Sequence, residues 1–143
     1  MTTTQSIAWT SVSDVFVLVH ADVPLADNDW QRYVTDLSRS ARAVLVFTDG
    51  PGPNTAQRKL LAESTKSRPV PMAIVTESRI ARAIVGLAAL FMDGVKAFSP
   101  HELTRALEFL GVSEHQAALQ LATSHAKASL QKSAAQDPHP HES

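Results

Sequence analysis

Two hydrophobic rhythms alternate along this chain. Val15–Val19 and Ala43–Phe47 are unbroken apolar runs of strand length, and Val70–Val75 is interrupted only by Pro71. A strand without polar alternation is one covered on both faces, as in a parallel sheet packed between helices. Pro71 cannot donate to a ladder, so regular pairing in the third run is confined to the residues after it. Ser6–Thr10 is half polar and reads as an edge strand. It is joined to Val15–Val19 by a turn at Ser13-Asp14, so the two pair antiparallel. Val95–Phe98 is a short last strand.

Between these runs the apolar positions recur at helical spacing. Trp30, Tyr33, Val34, Leu37 and Ala41 share one face of a helix that Asp27 is expected to cap, with Asp29 near the positive end of its dipole. Asn54 with Gln57 forms a variant capping box ahead of a second helix. Thr76-Glu77-Ser78 opens a third, whose predicted buried face is Ile80, Ile84, Leu87, Ala88 and Phe91, ending at Asp93-Gly94. Ser99-Pro100-His101-Glu102 gives the clearest local signal: a cap, a proline at the first helical position and a box-closing glutamate. The helix it starts is expected to bury Leu103, Ala106, Leu107 and Leu110 and to stop at Gly111. Ser113–Gln116 reads as another capping box, for a helix to about Leu130 with a thin, alanine-rich face carrying Leu119, Leu121 and Leu130.

Strands alternating with helices imply an α/β fold, namely a single-domain, mixed, mostly parallel sheet of about five strands covered by helices. Residues 1–112 make the α/β domain, 113–130 an appended C-terminal helix, and 131–143 a polar, proline-containing tail expected to be disordered.

Composition narrows the function classes. With 143 residues, 44% hydrophobic and 19% charged, the chain has the size and apolar content of one globular domain. The 13 basic and 14 acidic residues nearly cancel and form no basic stripe, which argues against nucleic acid. The absence of cysteine excludes disulfides, thiolate metal sites and a Cys nucleophile. The first residues lack the pattern of a signal peptide, and Ile84–Met92 is far shorter than the roughly 20 residues of a membrane span, so the expected location is the cytoplasm.

The element order over about residues 6–112 resembles that of the STAS family, the domain of bacterial anti-sigma-factor antagonists. The supporting stretches are Val44-Leu45-Val46-Phe47 followed by Thr48-Asp49, and Val95-Lys96-Ala97-Phe98-Ser99-Pro100-His101-Glu102-Leu103. The resemblance implies a regulatory module that acts by docking. In those antagonists a phosphorylatable Ser or Thr follows the Asp that Asp49 matches. Here Gly50 stands in that place, and the first hydroxyl beyond the Gly50–Pro53 loop is that of Thr55. The same class includes relatives of lipid-binding modules.

In open parallel sheets ligands bind outside the carboxyl ends of the strands. Those ends are His20-Ala21-Asp22, Thr48-Asp49-Gly50 and Thr76-Glu77-Ser78. The expected binding surface is therefore Asp22, Asp49, Gly50, Asn54, Thr55, Arg58, Ser78, Arg79 and Arg82, with Thr55 as a candidate phosphorylation site. The competing reading is that these residues cap helices and shape turns. Gly50 and Gly52 lack the spacing of a phosphate or dinucleotide loop. His20 and Asp22 flank one strand end without a nucleophile, so His20 reads as a structural histidine. His101 reads as solvated, and His139 and His141 lie in the tail without further metal-ligand spacing. Arg58, Lys59, Lys66 and Arg68 read as a solvated face.

The sequence thus points to a non-enzymatic regulatory protein-interaction module, a STAS-like antagonist or scaffold in bacterial signalling. It has no catalytic residues, no cofactor and no metal. Its expected partner is another protein and not nucleic acid, no membrane span is expected in the chain, and a homodimer is compatible with it. The alternative is a small-molecule or lipid-binding α/β domain with a pocket between the sheet and the helix around Ile80–Phe91. A cavity of roughly 300 Å³ or more favours that alternative, and a flat rim favours docking.

Overall fold

The first turn sets the architecture. Ser13 and Asp14 both adopt positive φ, at 49° and 66°. Two such residues make the tight turn whose twist matches that of the strands it joins. β2 (Ile7–Val12) and β3 (Val15–His20) consequently pair antiparallel from Val12 opposite Val15 to Ile7 opposite His20. Arg42 anchors the turn: its backbone N–H donates to the Asp14 carbonyl and its Nε to the Ser13 carbonyl.

The computed structural model describes residues 1–88 and 94–135. It is an α/β domain with one mixed, mostly parallel sheet, ordered β1-β2-β3-β4-β5-β6. β4 (Ala43–Thr48), β5 (Met72–Val75) and β6 (Val95–Phe98) follow β3 in parallel. The sheet has six strands, not the expected five. The unforeseen β1 is only Thr2–Thr3, paired antiparallel with Ala8 and Trp9. Two threonines carry no hydrophobic signal. They are held by that pairing and by a hydrogen bond between the Thr3 and Ser129 hydroxyls. The half-polar strand expected at the edge is therefore flanked on both sides, and it runs to Val12.

β3 is buried throughout because both its faces are covered. Phe16 and Leu18 face α1 (Asp27–Ser40) and α2 (Thr55–Ser64), in a core with Trp30, Tyr33 and Leu37. Val15, Val17 and Val19 face the other way, in a core with Leu107 of α4 (Leu103–Leu110) and Leu119 and Ala126 of α5 (Gln116–Ala135). Each parallel step moves in the same direction across the sheet, so right-handed crossovers place α1 and α2 on one face. The opposite face is left for the two C-terminal helices. α5 is thus an integral layer. Its buried residues Leu119, Thr123, Ala126 and Leu130 recur every three or four positions.

Several local expectations need correction. Asp27 is the first residue of α1 and not its cap, a position taken by Ala26; the Asp27 carboxylate instead accepts from Gln57 Nε2. The Ser113–Gln116 box does not form, because Ser113 already lies within a 3₁₀ turn after Val112 and makes no side-chain cap. α5 continues to Ala135, five residues past its expected end at Leu130, so the start of the predicted tail is helical. In α3 (Arg79–Ala88), Ile80 and Ile84 are 75% and 57% exposed, so the expected buried face is open at both. The Leu87, Ala88 and Phe91 side chains, Asp93, and tail residues 136–143 with His139 and His141 lie outside what is described.

Arg68 is also more than a solvated charge. Its guanidinium donates to the carbonyls of Leu37, Ser38 and Ala41, closing the C-terminal end of α1. A cation there satisfies orphan carbonyls and complements the helix dipole.

Candidate functional site: the carboxyl rim and its groove

The ends of β3, β4 and β5 converge at one rim, which a small hydrogen-bond network shapes. His20 is buried, and its Nε2 lies 2.8 Å from the Val23 carbonyl oxygen. A carbonyl only accepts, so Nε2 carries the hydrogen. Nδ1 is then the acceptor for the Thr48 hydroxyl at 3.0 Å, while Thr48 Oγ1 accepts from the Gly50 N–H at 3.3 Å. This chain of bonds ties β3, β4 and both following loops together around a neutral imidazole. Gly50 is required by proximity: a Cβ there would lie 2.7 Å from the Ala21 carbonyl oxygen and 3.0 Å from Asp22 Cα.

Burial lowers the His20 pKa below the usual histidine value, with the Val23 carbonyl and the Asp22 charge opposing it. The unfolded chain therefore binds the proton more readily than the folded one. The stability His20 contributes is fully present above about pH 6.5 and is lost as pH falls from there through its lower folded value. Thermal melts at about pH 7.5 and about pH 5 should show a larger drop for wild type than for His20→Asn. Equal drops would mean that His20 does not titrate in this window.

Asp49 closes the next segment of the rim. Its Oδ1 accepts from the Glu77 N–H at 3.1 Å and, more distantly, from the Thr76 hydroxyl. Ser78 Oγ caps α3 through the Ala81 N–H, and Arg82 Nη1 donates to the Thr76 carbonyl at 2.6 Å. Asn54 and Gln57 form their reciprocal box at the start of α2. Arg58 donates to the Pro53 carbonyl and to Thr55 Oγ1, the latter at 3.2 Å, so the candidate phosphorylation site already lies against a guanidinium. Asp22 and Arg79 are exposed. Of the nine residues predicted to form the surface, Asp49, Ser78 and Arg82 meet around Thr76, Gly50 packs on the turn at Asp22, and Asn54, Thr55 and Arg58 make a separate cluster. Most of these side chains have shape-giving roles.

The sequence reading misses the concave part. A cavity of about 570 Å³ opens at the rim, with Val19, Phe47 and Val75 among its apolar lining residues, and Leu103 of α4 and Leu130 of α5 as walls. Thr48, Asp49, Thr76 and Glu77 supply its polar margin. A second cavity of about 300 Å³ lies over β4 between α4 and α5 and shares Phe47, Leu103 and Lys127 with the first. The two adjoin as one apolar groove. Among the described residues, none of α3 lines either cavity, although a pocket was expected there. The available signal was the alanine content of α5, of which Ala134 borders the larger cavity opposite bulky Leu103 and Phe47.

Among the described residues, no group of three or more His, Cys, Asp or Glu is placed to hold a metal ion. No described helix is long and apolar enough to cross a membrane. Comparison with protein-family models, curated proteins and solved structures finds no match to this chain.

Proposed function

We propose that this chain is a non-enzymatic binding domain whose ligand is a small molecule with an apolar body, seated at the carboxyl rim. The observation that carries this reading is the concave groove. Its larger compartment, about 570 Å³, falls in the range of ligand pockets, and it joins apolar walls to a few polar groups at its mouth. Its position outside the strand ends is where α/β sheets place ligands. His20 at the rim is not free to act as a general base, because both its ring nitrogens are engaged in holding loops.

The test is to purify the chain under native conditions and analyse small molecules released on denaturation by mass spectrometry. Leu103→Trp, which fills the groove from the α4 side, serves as the control. The reading expects an apolar compound with wild type that is reduced with Leu103→Trp. Equal recovery from both proteins would place the ligand elsewhere.

A STAS-like regulatory module that docks a protein is the second reading. Its support is the sequential strand order from an N-terminal hairpin, together with the exposed Thr55 beside Arg58. A phosphate on Thr55 would meet both the guanidinium and the positive end of α2. Under this reading Asp49→Arg and Thr55→Glu each weaken capture of a protein partner while leaving the fold intact. Undiminished capture by both variants would remove this surface from consideration.

A further inference from the structure

We infer that the groove selects a molecule with an anionic head on an apolar chain, and that Lys127 is the residue that binds the head. This rests on the ligand-binding reading above and adds the chemical class of the ligand.

Lys127 is the charged residue common to both compartments, where they adjoin over Phe47 and Leu103. Its ammonium lies 5.1 Å from the centroid of the Phe47 ring. Lys127 is exposed, and the negative face of the Phe47 ring attracts its cation. Asp49 and Glu77 line the same cavity, yet among the described residues Lys127 makes no ion pair. Asp49 is instead directed at the Glu77 N–H, and Glu77 is exposed. Among the described residues the groove therefore offers one cation that no carboxylate pairs with, flanked by apolar surface. A carboxylate or similar anion at Lys127 supplies that charge through a charge-assisted hydrogen bond, while the attached chain displaces water from the leucine-lined walls.

The probes are decanoate, decan-1-ol and decylammonium, titrated into the full chain by calorimetry or by amide chemical shifts. They share a chain and differ only in the charge of the head. The inference expects decanoate to bind about tenfold or more tightly than decan-1-ol, and decylammonium to bind no better than the alcohol. Lys127→Met keeps an unbranched apolar stem against Phe47. It should erase the preference for decanoate while leaving decan-1-ol unchanged, and Lys127→Arg should retain the preference. Equal binding of decanoate and decan-1-ol, tighter binding of decylammonium, or an intact preference in Lys127→Met would each overturn the assignment of the head group and leave the apolar pocket standing. Failure of all three probes to bind wild type would overturn the pocket reading itself, and this inference with it.

Discussion

Leu107→Ala should destabilise the fold by about 2–5 kcal/mol. Leu107 is fully buried, at 0% exposure, and sits on the inward face of α4 between Ala106 and Leu110 in the core shared with β3, β4 and α5. Truncation loses the transfer energy of the removed carbons and leaves a void that packed neighbours fill only in part. The void would open beside a groove that already borders Leu107, so little nearby bulk is available to collapse into it. A urea melt reads the change directly: the midpoint falls while the slope stays the same. An unchanged midpoint would mean that α4 does not pack on the sheet through this face.

Gln57→Leu should cost about 2–4 kcal/mol, although leucine is the more hydrophobic residue. Gln57 is buried and joins two helix starts. Its Oε1 accepts from the Asn54 N–H at 2.9 Å, and its Nε2 donates to the Leu25 carbonyl at 3.0 Å and to Asp27 Oδ1 at 2.9 Å. Trp30 Nε1 donates to the Gln57 carbonyl at 2.8 Å, so the same residue also orients the α1 core. Leucine fills the volume but forfeits three hydrogen bonds, one of them to the Asp27 carboxylate, each contributing about 0.5–1.5 kcal/mol at partly exposed groups. Gln57→Glu should also destabilise, because it sets a second carboxylate against Asp27. A urea midpoint for Gln57→Leu at or above that of wild type would show that these bonds are not limiting.

The contrast between these two residues shows what a sequence displays. Leu107 is legible because burial of a helix face follows from the spacing of apolar positions, and the Ser99–Glu102 box fixes where that spacing begins. β3 is legible for the same reason, as an apolar run covered on both sides. The local half of Gln57's role, its box with Asn54, is visible in four residues of chain. Its bonds to Leu25 and Asp27 are not, because they join segments about thirty residues apart. Arg68 is similar: nothing near it in the chain announces the α1 carbonyls that it closes. β1 is invisible to hydrophobic patterning, since two threonines have nothing apolar to bury.

The rim was legible in position, and the groove in it was not. The rule that ligands collect at strand carboxyl ends locates Asp22, Asp49 and Ser78, and the turn chemistry explains Gly50. The groove depends on how α5 lies against β3, and an alanine-rich helix reads as weakly packed when considered alone. Laid on the sheet, its small residues permit close approach at Ala126, which is fully buried, and leave open volume around Lys127 and Ala134. Exposed Ile80 and Ile84 show the converse: a helical apolar period was present, but the sheet face behind it did not cover either residue.

The most direct test of the account is to map amide chemical-shift changes as an apolar probe such as decanoate is added to the labelled chain. The account predicts changes concentrated at Val19–Ala21, Phe47–Asp49, Val75–Glu77 and Lys127–Leu130, the strand ends and helix that enclose the groove. Changes confined to Thr55–Arg58 or to Arg79–Gly86, with these segments silent, would contradict it and place the binding surface on the outer helices.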